Sequence, residues 1–300
     1  MISIVIISKD EASLDGTLTD VAGQAQALGE SAEIIVVDAS DGRLDHIRIR
    51  HQSEVRWIQF DQPPHVTVSI PHQRNVGVRA SRGEIIVFID AACQPEPEWL
   101  KRLVAPVRQD EYIAAGVVLS LPGRANQNVI DRGIGQKRQI SQVSGYTSEP
   151  GAATLAFRRE VFDTVGGFDE GFTYGSDTDF SWRVTGAGYR IRCVPDSVIR
   201  HDWGTWRRQL RRSYVYGKAR ARLYRKHPHR LKHVLRDDIV VVAYPAFVLG
   251  LPLTLIFPLY PALLLIPAWR NRSDGALGIS VRLAFALSFG AGVLVELVAP

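Results

Sequence analysis

Residues 73–91 read QRNVGVRASRGEIIVFIDA, a helix-like stretch that runs into a strand ending on an acid. Glu84 to Asp90 (EIIVFID) is apolar without polar alternation, the pattern of a parallel strand covered on both faces. Gln73 to Ser81, just before it, predicts a helix. The same unit recurs upstream. Ile2 to Ile7 is a fully apolar run, and Ala12 to Leu28 places Leu14, Leu18, Val21, Ala25 and Leu28 at helical spacing. Glu33 to Asp38 (EIIVVD) is a second buried strand ending on an acid, and Val55 to Phe60 predicts a third. Strands alternating with helices imply an α/β fold, Rossmann-like, with a mostly parallel sheet and right-handed crossovers. Ligands of such sheets sit beyond the C-terminal strand ends, the edge that Asp38 and Asp90 share. Asp also caps helices, but two on neighbouring strand ends read better as a site.

The chain has 300 residues, 46% hydrophobic and 22% charged, values that exclude a disordered or collagen-like protein. Two cysteines, Cys93 and Cys193, with no CxxC, exclude a disulfide scaffold and a zinc ribbon. The first apolar run is too short for a secretory signal, so the N-terminal part is expected in the cytoplasm. The net charge of +5 hides an uneven distribution. Arg200 to Arg236 holds 13 Lys plus Arg and one acid, leaving the rest of the chain at −7. Ile239 to Trp269 then runs 31 residues without a charge, and Ala276 to Ala299 contains only Arg282 and Glu296. About 20 apolar residues cross a bilayer as a helix, although Pro245, Pro252, Pro258, Pro261 and Pro267 would break a straight one. The expected organisation is a catalytic domain at 1–205, a basic juxtamembrane helical region at 206–236 and apolar membrane-associated segments at 237–300. A basic band beside apolar segments suits anionic membrane lipids on the cytoplasmic face of a plasma or inner membrane. It does not suit nucleic acid, which would call for interleaved base-stacking aromatics.

No GxGxxG follows the first strand, and GxxxxGK[ST], GxSxG and HExxH are all absent. The neighbourhood of Gly145 to Gly151 is the expected joint between a nucleotide-side half and a second half. That second half carries GGFDE at 166–170 and GSDTDFSWR at 175–183, with Asp177 where a loop enters a helix. Strand-end acids can hold a sugar nucleotide and a cation, while a loop carboxylate takes a proton from an acceptor hydroxyl. His201, after the strand-like segments Tyr189 to Cys193 and Val198 to Arg200, is a candidate metal ligand. Arg158 and Arg159 are candidate diphosphate contacts. Trp203 and Trp206 are candidate interface anchors or sugar-stacking rings.

Taken in order, ISIVIISKDE, EIIVVDAS, QRNVGVRASRGEIIVFIDA, GAATLAFRREVFDTVGGFDEGF, GSDTDFSWR and the strand ending in His201 resemble glycosyltransferase family 2, inverting enzymes with the GT-A fold. The basic GKARARLYRKHP stretch before apolar segments is similar to membrane-attached bacterial-type members acting on lipid-linked or envelope glycans. The resemblance implies a nucleotide-diphosphate sugar donor and a divalent cation, Mg²⁺ or Mn²⁺. It implies that Ser8 to Glu11 faces the base, with Asp38 on one side and Arg74 on the other. It places Asp90 by ribose and diphosphate as the first acid of a DxD, Gly151 at the donor–acceptor junction, and Asp177 as general base. It offers His201 as a further metal ligand beside Asp90.

Three departures stand out. The DxD reads Asp90-Ala91-Ala92, Ala39 follows Asp38, and Ser176 precedes Asp177 where an acid is usual. The processive QxxRW appears only as Gln209-Leu210-Arg211-Arg212-Ser213, which argues against a long-chain polymer synthase, and the leading expectation is a non-processive enzyme whose acceptor is a hydroxyl of a lipid-linked or envelope glycan. Two alternatives stay open: transfer to a polyprenyl phosphate, which hardly needs a base, and a catalytically lapsed membrane-bound nucleotide-sugar binder.

Overall fold

A computed structural model describes residues 1–121 and 145–299 of the chain. These residues form two compact units, 1–120 with 145–202, and 203–299. The first unit begins with β1 (Ile2–Ser8), α1 (Leu14–Ala27), β2 (Ala32–Asp38), α2 (Asp45–Arg50), β3 (Val55–Gln59), α3 (Ile70–Ala80) and β4 (Ile85–Asp90). It continues through β5 (Cys93–Pro95), α4 (Trp99–Arg108), β6 (Ile113–Ser120), β7 (Tyr146–Thr147), β8 (Thr154–Arg158), α5 (Arg159–Val165), α6 (Ser176–Gly186) and β9 (Ile191–His201).

These strands make one sheet in the order β3-β2-β1-β4-β8-β6-β9-β5, with β7 on β9. The first four are parallel, as their unbroken apolar runs require. Beyond β4 the sheet becomes mixed: β8 is antiparallel to both β4 and β6, and β9 returns parallel to β6. Residues 145–151 therefore lie inside the first unit, since Tyr146–Thr147 pairs with the start of β9.

Helices cover both faces. On one side α1 and α4 bury Leu14, Leu18, Val21, Trp99 and Leu103 against alternate strand residues such as Ile4 and Val36. On the other, Val5, Phe88 and Phe157 meet Val78, Phe162 and Phe180. Full burial of each such side chain stabilises by about 1.5–3 kcal/mol, so the apolar runs seen in the sequence are the sheet's two-sided core. Two glycines set how close the layers come. A Cβ at Gly77 would collide with the Val5 side chain, and one at Gly83 would lie 2.7 Å from the Ser3 amide nitrogen. Pro71 occupies the first turn of α3, where its missing N–H costs nothing.

The second unit is helical: α7 (Trp206–Lys226), α8 (Val240–Leu249) and α9 (Gly275–Val298). Between α8 and α9 the prolines break the uncharged run into 3₁₀ turns at Leu251–Leu255 and Tyr260–Leu264 and a short helix at Leu265–Arg270. By length and composition α9, with 24 residues, is long and apolar enough to cross a membrane.

Candidate active site

Register places three of the sequence-predicted residues side by side. Ser8 pairs with Asp38, and Ile7 with Asp90, so Ser8, Asp38 and Asp90 stand at the C-terminal ends of β1, β2 and β4. A buried glutamine fixes this edge. Gln73 Nε2 donates to the Ser8 carbonyl at 2.8 Å and to the Val37 carbonyl at 2.9 Å, stitching the strand ends to α3.

Asp38 is 1% exposed. Burial pushes its carboxyl above the ordinary carboxylate value, and hydrogen bonds from Ser40 work in the opposite direction. Ser40 Oγ donates to Asp38 Oδ1 at 2.5 Å and accepts from the Asp10 amide at 2.7 Å. Asp10 has a left-handed φ of 57° and is held by Arg43 Nε at 2.6 Å. The loop after β1 is thus tied to the end of β2. Glu11 ends that loop with its Oε1 accepting from the Ser13 hydroxyl at 2.6 Å, at the entrance to α1.

Arg74 goes to Asp90. Its Nη2 donates to Asp90 Oδ1 at 3.2 Å, and its guanidinium carbon lies 5.7 Å from the Phe88 ring centre and 5.5 Å from that of Phe168. Arg74 is 5% exposed, yet its Nε has no acceptor among the described residues. A buried guanidinium N–H without an acceptor is costly and suits an anion brought to this edge.

Asn75, next in the chain, secures Phe168. Its Nδ2 donates to the Phe168 carbonyl and to Glu170 Oε1, both at 2.8 Å, while its Oδ1 accepts from the Phe168 amide at 2.8 Å. Phe168 in turn stacks on Phe180 at 4.5 Å and meets Phe88 edge-on at 5.6 Å. Through these rings α6, which carries Asp177 in its first turn, is packed onto the strand that ends in Asp90.

The two acids of the DTD stretch have separate surroundings. Asp179 is fully buried and pairs with Arg183 at 2.8 Å. Arg183 also donates to the Gly167 carbonyl at 2.6 Å and to the Val165 carbonyl, holding the turn where Gly166 and Gly167 take φ of 78° and 76°. Asp177 is only half-buried, and its Oδ1 accepts from the Thr178 amide at 2.9 Å. Trp182 of the same helix donates to Glu149 Oε1 at 2.8 Å, anchoring the segment that leads to Gly151. A Cβ at Gly151 would meet nothing within 4 Å, and Thr154 just beyond it pairs with Ile89, the residue before Asp90.

His201 reaches the same neighbourhood by strand pairing. The short β5, directly after Asp90-Ala91-Ala92, runs antiparallel to β9 with Cys93 opposite His201. Thr17 Oγ1 clamps this turn, donating to the carbonyls of Ala91 at 2.7 Å and Cys93 at 2.8 Å. Among the described residues no group of three His, Cys, Asp or Glu side chains could hold a metal ion. Mg²⁺ demands six oxygens in near-ideal geometry. The chain offers Asp90, with one oxygen bound by Arg74, and His201. That pair fits a cation held mainly by oxygens of its own ligand.

Two expectations are corrected. Arg158 and Arg159 are not at this edge: Arg158 pairs with Ile85, at the opposite end of β4. Arg158 donates to the carbonyls of Val107 and Gln109, and Arg159 to those of Val78, Ser81 and Gly83, so both act as struts. Gln73, Ser40, Asn75 and Arg183 carry the scaffold of the site, and the sequence reading passed over them. The available signal was the polar triplet Gln73-Arg74-Asn75 on a helix between Pro71 and Val78, a surface that packs on the sheet.

Residues 3–166 match the family described as Glycosyl transferase family 2, and residues 85–289 match Glycosyl transferase family group 2. The pre-mycofactocin glycosyltransferase of Mycobacterium tuberculosis is 26% identical, over 59% of this chain and 39% of that protein. The O-antigen biosynthesis protein RfbC of Myxococcus xanthus is 26% identical, over 69% of this chain and 18% of its own. The succinoglycan biosynthesis protein ExoA of Rhizobium meliloti is 24% identical, over 66% of this chain and 62% of its own. The chain thus spans less than two thirds of each of these relatives. Among solved structures, the mannosyltransferase PcManGT from Pyrobaculum calidifontis, in complex with GDP-Man and Mn²⁺, matches with a TM-score of 0.63 at 18% identity. That match covers 95% of this chain and 86% of the other, and it is a likeness of fold.

Proposed function

This chain belongs to glycosyl transferase family 2, and from that premise we propose that it moves a sugar from a nucleotide-diphosphate donor to a hydroxyl acceptor, with inversion and without processive extension. The observation that carries this reading is the Arg74–Asp90 pair at the strand edge, with a buried guanidinium N–H lacking an acceptor. A diphosphate supplies acceptor oxygens of the right charge. Ser8, Glu11 and Asp38 border the loop that would receive the base, and Gly151 leaves room for the sugar and its acceptor.

The chemistry assigned to Asp177 is proton removal. The acceptor oxygen attacks the anomeric carbon from the face opposite the diphosphate. Asp177 takes the hydroxyl proton, the new C–O bond forms, and the bond to the diphosphate breaks with its electrons staying on that group. Asp177 suits this role because it is half-buried and its Oδ1 accepts only a backbone N–H among the described residues, whereas Asp179 is fully buried and paired with Arg183. Asp90 and His201 would hold a divalent cation, Mg²⁺ or Mn²⁺, that arrives with the donor and, when bound, offsets charge on the departing diphosphate. Arg74 orients Asp90 and adds positive charge at the same edge.

The acceptor is proposed to be a lipid-linked or envelope glycan. Relatives named for O-antigen and succinoglycan biosynthesis support that class. The basic and apolar C-terminal unit supports attachment to anionic lipids on the cytoplasmic face of a plasma or inner membrane.

The test is a titration of the purified full chain with UDP-, GDP- and dTDP-sugars, with and without Mn²⁺, following binding heat and nucleotide release. One donor should bind, more tightly with Mn²⁺. Asp177→Asn should keep that binding while turnover onto a hydroxyl acceptor falls about 10²–10⁴-fold. Unchanged turnover in Asp177→Asn would move the reading to a phosphate acceptor. No binding to any donor would remove the transferase reading.

A further inference from the structure

Within the C-terminal unit, α7 and α9 run side by side in the same direction. Ser288 Oγ donates to the Leu210 carbonyl at 2.9 Å. Four residues on, a Cβ at Gly292 would collide with the Tyr214 carbonyl, so the backbones touch there. After another four, Glu296, 3% exposed, pairs with Arg222 at 3.1 Å and Lys218 at 3.5 Å. Arg225 closes the row by donating to the Glu296 carbonyl at 2.6 Å. Steps of four on one helix match steps of four on the other, so 210–218 and 288–296 stay level along their length.

This pairing decides how the unit can meet a bilayer. α7 carries nine Lys and Arg, from Arg207 to Lys226, along 21 residues, a length of about 30 Å. If α9 stood across a membrane, α7 would stand beside it and spread those charges over the whole hydrocarbon depth of about 30 Å. Only residues 275–287 of α9 lie beyond the paired stretch. These 13 residues span about 20 Å, short of the roughly 17 residues that a crossing needs. They also include Arg282. The other apolar segment cannot cross either. Its 3₁₀ turns at 251–255 and 260–264 leave it without the unbroken helix of about 20 residues that a crossing needs.

Laid in the membrane plane, the same elements fit. The cations of α7 then stay out of the hydrocarbon core, with Lys218 and Arg222 against Glu296, Arg220 against Asp238, and the others able to lie at headgroup depth. The segment between α8 and α9 exposes Leu255 (89%), Leu259 (82%), Ile256, Phe257, Leu265 and Trp269. A patch of that kind marks an interaction surface. Its neighbour in sequence is the basic helix, so the charge of the unit selects an anionic lipid surface.

We propose that the C-terminal unit is a monotopic anchor. It enters one leaflet of an anionic bilayer through residues 251–269, with α7 and α9 lying in the plane and neither apolar segment spanning. The proposal rests on the membrane association put forward above and adds its geometry. Two experiments on the full chain separate the two. The first dilutes detergent-purified protein onto preformed sealed vesicles, with or without phosphatidylglycerol, and floats them on a density gradient. Flotation that requires phosphatidylglycerol is expected. Failure to float removes membrane association itself, and flotation regardless of lipid charge overturns the placement of α7 at the headgroups. The second labels Ser273→Cys, and Ala276→Cys as an independent position, with a membrane-impermeant maleimide in spheroplasts of the expression host. Cys93 and Cys193 are buried and give little background. Labelling only after the membrane is opened with detergent is expected. Labelling of intact spheroplasts would mean that a hairpin spans the bilayer, overturning the proposal while leaving membrane association intact.

Discussion

Asn75→Ala tests whether one buried side chain holds the acceptor-side loop against the donor edge. Asn75 is 1% exposed and makes three hydrogen bonds of 2.8 Å, two to the backbone of Phe168 and one to Glu170. Alanine leaves the Phe168 N–H and C=O without those partners. Each buried group left unsatisfied costs about 1–3 kcal/mol, so the pair costs about 2–6 kcal/mol. For a unit of this size 1 kcal/mol corresponds to about 2–4 °C, which predicts a fall in Tm of roughly 4–24 °C. A thermal melt followed by tryptophan fluorescence in one detergent reads it directly. Function should weaken in parallel, because loosening Phe168 removes one of the two rings that flank Arg74. Asn75→Asp sharpens the test. It keeps an acceptor for the Phe168 amide, loses both donated bonds, and sets a second carboxylate beside Glu170, so it should fall at least as far at neutral pH as in acid. A shift below about 2 °C in Asn75→Ala, worth under 1 kcal/mol, would refute the claim that this side chain carries the loop.

Asp38→Asn should raise thermal stability at neutral pH while weakening donor binding. Burial lifts the Asp38 carboxyl above its ordinary 3.8, so the folded chain binds that proton more tightly than the unfolded chain; the cost of ionising it is full above the folded pKa and vanishes below the unfolded one. The variant's advantage in a melt should therefore shrink as pH falls through the carboxylate range, and a constant advantage would contradict it. Arg183→Ala removes the cation paired with the fully buried Asp179, and losing one partner of such a pair costs about 3–5 kcal/mol. Poor folded yield by circular dichroism is expected, with Asp179→Asn milder. Ala92→Asp should lower the Mn²⁺ concentration needed for half-maximal turnover, measured by nucleotide release.

The sheet was readable because a two-sided apolar strand leaves no freedom of face. EIIVVD and EIIVFID became β2 and β4 with acids at the predicted edge. The antiparallel half was harder. GAATLAFRR holds β8, but small and apolar residues there suit either period, and strand direction is set by partners tens of residues away among β4, β6, β8 and β9. The pairing of Arg74 with Asp90 was hidden for another reason, since a helix residue and a strand residue acquire a shared edge only when α3 lands on β1. In sequence Asp177 was marked by its place at the helix start and by the family resemblance, while the different surroundings of Asp179 were not visible. The difference came from Arg183, whose i,i+4 spacing was visible but whose bonds to the Gly167 and Val165 carbonyls depend on the folded turn.

On the proposed function, the charges at the strand edge account for Ala92 standing in place of an acid. Asp38 is buried where ionisation is disfavoured, and Arg74 offsets Asp90, so the edge carries less negative charge than one with two free acids. A diphosphate entering there meets less repulsion and gains a guanidinium donor. The same arrangement weakens the chain's own hold on a cation, because Arg74 occupies an Asp90 oxygen and His201 offers at most one nitrogen. Restoring an acid at position 92 therefore moves both quantities in opposite directions: cation affinity rises while donor affinity without metal falls. An aspartate that strengthened metal-free donor binding would show that the Arg74–Asp90 pair does not set the charge of this edge.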